Sequence, residues 1–223
     1  MKYALMMLCA SVLVAMSLPA RKKKVIFFGD SITQAGVEKG GYITRIGENL
    51  QKQGKGADYE LIGSGIGGNK VYDLYLRMDS DVLAKKPDIV FVYVGVNDVW
   101  HKTLLGTGTD LDKFTRFYSA LLRKIKAANA KVIMVTPAVI GEKKDGDNAQ
   151  DKDLDIYSQA LRDLAAQEQC PLVDLRKIFL DFNIQHNTGN EAKGILTTDG
   201  VHLNDTGNQL VADKMTESLL NLK

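Results

Sequence analysis

Lys24-Val25-Ile26-Phe27-Phe28 leads directly into Gly29-Asp30-Ser31-Ile32-Thr33, and the interpretation of the whole chain starts from this stretch. A short apolar run that ends in glycine is typical of a buried strand, which places Ser31 at the C-terminal end of a first strand. Ligands bind at that edge of an open α/β sheet, so the Ser31 hydroxyl is a candidate nucleophile. Gly-Asp-Ser alone is also ordinary turn and helix-cap sequence, and the assignment therefore needs support from the rest of the chain.

Apolar runs alternate with helix-like periodicity along the remainder of the chain. Strands are predicted at residues 59–62, 88–94, 131–135 and 171–173. Helices are predicted where apolar residues recur three or four positions apart: Tyr42, Ile43, Ile46 and Leu50; Val71, Leu74 and Leu76; Leu111, Phe114, Phe117, Leu121 and Ile125; Leu154, Tyr157, Leu161 and Leu164; Leu210, Val211, Met215 and Leu219. This alternation, with right-handed connections, predicts an α/β fold: a three-layer α/β/α sandwich around a central, parallel, five-stranded sheet of flavodoxin-like strand order.

The N-terminal segment differs in kind from the rest. Lys2 precedes an apolar run over residues 3–16, and Ser17-Leu18-Pro19-Ala20 follows it. This pattern predicts a signal peptide over residues 1–20, with cleavage near Ala20, and leaves residues 21–223 as a single domain. An uncleaved N-terminal anchor is the alternative. We expect the mature protein to be exported, periplasmic or extracellular, and to have no stable membrane span.

Composition narrows the class of partner. The whole chain has a formal net charge of +2, from 29 basic and 27 acidic residues, so nothing supports a nucleic-acid partner. Cys170 is the only cysteine that follows the predicted signal peptide, and no intrachain disulfide is therefore expected. The sequence carries no indication of the oligomeric state.

Asp199-Gly200-Val201-His202 precedes the last predicted helix and brings a carboxylate close to an imidazole. Three positions within one turn are near enough for direct contact. His202 can then accept the Ser31 proton while Asp199 fixes the imidazole tautomer and stabilises the imidazolium, as in serine hydrolases. We therefore expect these three residues to act together.

Acyl transfer also needs hydrogen-bond donors for the oxygen that becomes negatively charged. Asn97 follows the strongest predicted strand, in Gly95-Val96-Asn97-Asp98, and offers a side-chain amide. Gly68 offers a backbone N–H in a glycine-rich turn over residues 63–69, where a missing Cβ permits close approach. With the backbone N–H of Ser31, these groups predict an oxyanion hole of three donors.

Four blocks of the chain resemble, in order, those of the GDSL or SGNH hydrolases. They are Gly29-Asp30-Ser31-Ile32, the turn with Gly68, Gly95-Val96-Asn97-Asp98 and Asp199-Gly200-Val201-His202-Leu203. The resemblance implies that Ser31 is the nucleophile, that Gly68 and Asn97 are oxyanion donors, and that His202 is the general base with Asp199 as its partner. It also implies the SGNH hydrolase fold and an esterase without metal or cofactor.

Two departures from the family pattern are mild. Ile32 replaces the usual leucine, and Ser64 stands where many members have asparagine. The second departure affects the course of the glycine-rich turn, so Gly67 and Asn69 are alternatives to Gly68.

Other functions fit parts of the sequence. Gly63-Ser64-Gly65-Ile66-Gly67-Gly68 matches the dinucleotide-binding fingerprint, but it lies in the second strand–helix turn rather than the first, so no nucleotide cofactor is expected. A secreted glycan-binding protein on the same scaffold would explain export and Trp100. It gives no reason for Ser31, Asn97, Asp199 and His202 to occur together.

The expected substrate is a short acyl ester, acetyl above all, on a carbohydrate. Residues 103–112 and 141–153 offer few apolar side chains to line a long acyl pocket, and Trp100 is either a sugar-stacking face or an ordinary partly buried tryptophan. A lysophospholipase or thioesterase is the alternative. Residues 102–109 are expected to be flexible, residues 141–153 to form a solvated loop or a lid, and His101 to be a solvated polar residue.

Overall fold

The computed structural model describes residues 21–222 and contains a five-stranded, all-parallel sheet with helices on both faces. The strands are β1 (Lys23–Gly29), β2 (Tyr59–Gly65), β3 (Ile89–Tyr93), β4 (Lys131–Val135) and β5 (Leu172–Val173). The helices are α1 (Ser31–Ala35), α2 (Tyr42–Lys52), α3 (Val71–Asp81), α4 (Val96–Leu104), α5 (Leu111–Ala127), α6 (Asp151–Glu168), α7 (Leu175–His186) and α8 (Asp205–Leu220). The predicted α/β/α sandwich is confirmed. The predicted signal peptide, residues 1–20, lies outside the described residues.

The strand order is β2-β1-β3-β4-β5, which is the predicted flavodoxin-like order. In the ladder, Gly29 of β1 lies opposite Gly65 of β2 on one side and Tyr93 of β3 on the other. The three strands therefore end level with one another. From β1 the chain adds β2 on one side of the sheet and β3 on the other, so the strand order reverses between β1 and β3. Ligands of open α/β sheets bind at such a switch point.

Two apolar layers cover the sheet, one on each face. Side chains alternate along β1, so that Phe27 packs on the face covered by α2, α7 and α8, while Phe28 packs on the face covered by α3, α5 and α6. All five residues of β3 are buried because the strand lies in the middle of the sheet. Phe27 stacks on Phe91 of β3 with the ring centroids 4.9 Å apart. Full burial of one such ring stabilises the fold by roughly 1.5–3 kcal/mol.

Several element boundaries differ from the prediction. β2 continues to Gly65, so the first three residues of the expected glycine-rich turn, and of the apparent dinucleotide fingerprint, are strand. Of the stretch expected to be flexible, residues 102–104 belong to the last turn of α4, residues 105–109 are irregular, and Thr109 is buried. Leu76 is exposed on α3, and Met78 takes the buried position instead. Helix α7 was not predicted. None of the helices within residues 21–222 is long and apolar enough to cross a bilayer.

The segment at 141–153 is only in part the solvated loop that the sequence predicts: residues 141–150 are irregular, with Asp145, Gly146, Asp147 and Ala149 exposed. Glu142 is completely buried, and the segment from Asp151 onward is helical rather than a solvated loop. The Glu142 carboxylate accepts hydrogen bonds from the backbone N–H groups of Ile195, at 2.8 Å, and of Leu196, at 2.6 Å. A buried carboxylate that is satisfied in this way holds two distant parts of the chain together.

Replacement of Glu142 should destabilise the fold. Glu142→Ala leaves two backbone amides without an acceptor, at a cost of about 1–3 kcal/mol each, and should lower the free energy of unfolding in urea accordingly. Asp145→Asn, at an exposed position of the same segment, is the matched control. Equal stability of the two variants would contradict the role given to Glu142.

Candidate active site

Ser31 is the first residue of α1 and follows β1 after a single intervening residue, Asp30. The Asp30 carboxylate caps the helix by accepting the N–H of Ile32 at 3.0 Å. Because β1 is the strand next to the switch point, this tight strand-to-helix turn brings the half-buried Ser31 side chain to the ligand-binding edge of the sheet.

Ser31, His202 and Asp199 form a hydrogen-bonded chain. The Ser31 Oγ lies 3.0 Å from His202 Nε2, and His202 Nδ1 lies 2.7 Å from Asp199 Oδ2. An ionised carboxylate only accepts hydrogen bonds, so the imidazole proton belongs on Nδ1 and Nε2 is free to accept the serine proton. The structure thus brings Ser31 together with His202, which lies 171 positions further along the chain, and with Asp199.

Asp199 is fixed by the backbone of its own turn. Its Oδ1 accepts the N–H groups of Val201, at 2.9 Å, and of His202, at 2.8 Å. Burial acts to raise the pKa of Asp199, but the hydrogen bonds from the His202 ring and from these two N–H groups outweigh it and lower the pKa below its usual range. Asp199 is therefore ionised at neutral pH, as a partner of an imidazolium must be.

The turn after β2 lies beside the nucleophile. A Cβ built on Gly67 would lie 3.9 Å from the Ser31 Cβ. The Gly67 N–H donates to Gln34 Oε1 at 2.7 Å, and the Asn69 N–H donates to Ile66 O at 3.3 Å. The N–H of Gly68 has no hydrogen-bond partner within residues 21–222, and its φ of +75° is one that glycine adopts readily. Of the three amides in question, only that of Gly68 is available to a ligand.

Asn97 lies on the first turn of α4, at the end of β3, and is almost completely buried. Its Nδ2 donates to the carbonyl of Asn69 at 3.1 Å, which sets the side chain against the turn that holds Gly68. A side-chain amide has two hydrogens, so this contact leaves one for a ligand. The five predicted site residues therefore converge on one edge of the sheet.

Trp100 and His101 follow Asn97 by three and four positions and share its face of α4. The Trp100 ring meets the His202 ring edge-on, with the centroids 6.3 Å apart. His101 is buried, so its expected solvation is wrong: the helix begins directly after Gly95 and turns the imidazole inward, toward Gly68. Burial, and secondarily the charge of Lys70, lowers the pKa of His101.

Nothing in the local sequence indicated a role for Gln34, whose side chain orients the Gly67 amide. Gln34 lies one turn after Ser31 in a helix of five residues, where an exposed glutamine looks like ordinary solvated surface. As for metals, the part of the chain that the structure describes contains no group of three or more His, Cys, Asp or Glu side chains arranged to hold one.

An open α/β/α sheet that presents a serine, an imidazole and a carboxylate in hydrogen-bonded sequence at its ligand edge has the architecture of a carboxylic ester hydrolase. Comparison with known proteins agrees. The model of the GDSL-like Lipase/Acylhydrolase family matches residues 27–210, and the chain belongs to that family and is a carboxylic ester hydrolase.

Three relatives illustrate the similarity. An acetylxylan esterase of Geobacillus stearothermophilus is 29% identical over 173 residues, which cover 70% of this chain and 78% of that protein. The uncharacterized lipoprotein YqeF of Bacillus subtilis (strain 168) is 25% identical over 184 residues, 73% of this chain and 74% of its own. The crystal structure of an acetyl xylan esterase, AlAXEase, shares 59% identity and a TM-score of 0.86, covering 88% of this chain and 99% of that one.

Asp30 should make the stability of the protein depend on pH. Burial raises its pKa to about 7, against a smaller opposing effect of the Ile32 N–H. The folded protein therefore binds a proton that the unfolded chain loses near pH 4, and this contribution to stability disappears as the pH rises from about 4 to about 7.

Asp30→Asn keeps an oxygen that can cap the helix but cannot ionise. The free energy of unfolding of this variant, relative to the wild type, should rise between pH 5 and pH 8 by an amount on the order of a few kcal/mol. Urea titrations at both pH values measure it, with the exposed Asp58→Asn as control. A difference that does not change with pH would show that Asp30 does not titrate in this range.

Proposed function

We propose that this chain is an exported serine esterase that removes acetyl groups from xylan or a closely similar glycan. The observation that carries the proposal is the hydrogen-bonded chain from Ser31 Oγ through His202 to Asp199, at 3.0 Å and 2.7 Å, on an open edge of the sheet. The similarity to two acetylxylan esterases supports the acyl group and the class of glycan.

In the first half of the reaction, the Ser31 Oγ attacks the carbonyl carbon of the ester while His202 Nε2 takes the hydroxyl proton. The carbonyl oxygen becomes an oxyanion that accepts hydrogen bonds from the N–H groups of Ser31 and Gly68 and from Asn97 Nδ2. When the tetrahedral intermediate collapses, the carbon–oxygen bond to the sugar breaks. His202 gives its proton to the departing sugar oxygen, and the acetyl group stays on Ser31.

The second half repeats these steps with water. His202 removes a proton from a water molecule, which attacks the acetyl carbonyl carbon, and the same three donors stabilise the second oxyanion. Collapse of the intermediate releases acetate and returns the proton to Ser31 Oγ. Asp199, held by two backbone N–H groups, keeps the imidazole in the tautomer that both halves need.

The exposure of the site favours a polymeric substrate. The His202 side chain is 37% exposed and that of Asp199 is 48% exposed, so a sugar residue within a chain can reach them without entering a tunnel. The Trp100 ring lies beside His202 and offers an apolar face on which a sugar ring can stack. Residues 21–223 constitute the proposed hydrolase domain, and residues 1–20 the proposed export signal, in keeping with a lipoprotein among the relatives.

One observation favours a second candidate. Leu104 and Leu105, at the end of α4, are 55% and 60% exposed, and this helix also carries Asn97 and Trp100. Exposed leucines beside an esterase site can accommodate a longer acyl chain. A lysophospholipase or thioesterase is therefore the alternative function.

Chain-length preference separates the two functions. On p-nitrophenyl esters from acetate to palmitate, kcat/KM should peak at short acyl groups (~C2–C4), since each further methylene needs an apolar lining to gain about 0.8 kcal/mol. Acetylated xylooligosaccharides should release acetate, and Ser31→Ala should abolish both activities together with fluorophosphonate labelling. A maximum at eight carbons or longer favours the alternative, and binding of xylooligosaccharides without any turnover would identify a glycan-binding protein.

Asn97→Ala tests the oxyanion hole. Because the amide acts on a charge that is present only in the transition state, kcat should fall by ~10²–10³, equivalent to ~2.7–4 kcal/mol. KM and the far-UV circular dichroism spectrum should change little. Asn49→Ala, which removes an α2 side-chain amide that donates to Asp213 rather than to a residue of the site, serves as control. A large loss of thermal stability with full activity per folded molecule would make Asn97 a turn residue instead.

A further inference from the structure

The guanidinium of Arg77, on α3, is nearly buried and uses all of its hydrogen-bonding groups. It donates from Nε to Asn69 Oδ1 at 2.7 Å, from Nη1 to Ser64 Oγ at 3.1 Å and Asp81 Oδ2 at 2.8 Å, and from Nη2 to Gly29 O at 2.7 Å and Ser64 O at 3.1 Å. The guanidinium is planar, and its five hydrogen bonds together fix the position of the Arg77 side chain within that plane.

These acceptors belong to two different parts of the site. Gly29 is the last residue of β1, two positions before Ser31, whereas Ser64 and Asn69 lie in β2 and in the turn that follows it. The Arg77 guanidinium also lies over the Phe28 ring, with its Cζ 4.5 Å from the ring centroid. The cation thus joins the strand that leads to Ser31 to the turn that carries Gly68.

Both proposed oxyanion donors outside Ser31 adjoin Asn69. Gly68 precedes Asn69 in the turn, and Asn97 Nδ2 donates to the Asn69 carbonyl at 3.1 Å. Arg77 holds the Asn69 side chain, and Gln34 holds the Gly67 amide on the other side of Gly68. The turn is therefore anchored on both sides of the one amide that is left free.

We infer that Arg77 is a positioning residue, which sets the distance between the Ser31 nucleophile and the oxyanion donors Gly68 and Asn97. The inference rests on the proposed function. None of the five hydrogen bonds of Arg77 goes to Ser31, His202 or Asp199, so it acts on the geometry of the donors rather than on proton transfer. Its contacts are specific to arginine, because lysine offers a single ammonium that cannot serve five acceptors in one plane.

The test compares Arg77→Lys with Asp81→Asn in hydrolysis of p-nitrophenyl acetate. Asp81→Asn removes the charge that pairs with Arg77 within its own helix and leaves the contacts of Arg77 with Gly29, Ser64 and Asn69, so its kcat should stay within twofold of the wild type. Arg77→Lys should lower kcat about 10–100-fold, since a displacement of about 1 Å in a catalytic group can cost a hundredfold. KM should change less than threefold, and the shape of the pH–rate profile should not change.

A double mutant separates positioning from general loss of structure. If Arg77 acts through the donors, Arg77→Lys should have much less effect in an Asn97→Ala background than in the wild type. Full additivity of the two losses, or a lower melting temperature with unchanged kcat, would overturn the inference.

Asn69→Ala provides a second variant if Arg77→Lys does not fold, because it removes only the acceptor of Arg77 Nε. It should cause a smaller fall in kcat of the same kind, and unchanged kcat would count against the inference. A wild-type protein without Ser31-dependent hydrolysis would overturn the proposed function and this inference together. Normal kcat in Arg77→Lys beside an active wild type would overturn the inference alone.

Discussion

The register of β1 between its two neighbours is the constraint on which the site depends. Gly29 lies opposite Gly65 on one side and Tyr93 on the other, so the three parallel strands end level with one another at the same edge of the sheet. The turns that follow carry Ser31, Gly68 and Asn97, respectively. A shift of one position in either pairing would move a donor by about 3.3 Å, more than the length of the hydrogen bonds involved. The apolar packing of β1 and β3 therefore does more than stabilise the fold, because it also sets the distances between the groups proposed to react.

The fourth part of the site comes from a segment without a strand to fix it. Asp199 and His202 lie in an irregular stretch before α8, which is held from outside by residues that follow β4. Glu142 accepts two N–H groups of this stretch, and the Gly141 N–H donates to Gly200 O at 2.8 Å. The buried Glu142 carboxylate thus holds the His202 turn in place, as the sheet hydrogen bonds hold the turns that carry Ser31, Gly68 and Asn97. A charged group is suited to this task because its two oxygens accept strongly from adjacent amides.

The sequence allowed prediction of whatever is encoded locally. The apolar run before Ser31 and the run over residues 88–94 indicated buried strands, and the polar blocks that follow them indicated the site.

The features that the sequence did not reveal depend on partners far along the chain. Glu142 looked like a member of a charged loop, since the amides that satisfy it lie 53 and 54 positions away. Arg77 is four residues before Asp81, a spacing that suggests a solvated ion pair on one helix. This spacing does not indicate the hydrogen bond from Arg77 to the Gly29 carbonyl. The solvation of His101 was predicted wrongly because its orientation depends on the residue at which α4 begins. A different start within one turn would point the side chain in another direction.

The groups proposed to take part in catalysis divide their hydrogen-bonding capacity between support and chemistry. Asp199 uses Oδ1 to bind its own turn and keeps Oδ2 for the imidazole. Asn97 gives one amide hydrogen to Asn69 and has a second for the oxyanion. Preorganised donors stabilise a developing charge well because they do not have to reorient when the charge appears. A half-exposed site is not surrounded by enough protein to hold its side chains in place by packing alone. In this protein Asp199 and Asn97 are held instead by the hydrogen bonds that each makes to neighbouring backbone.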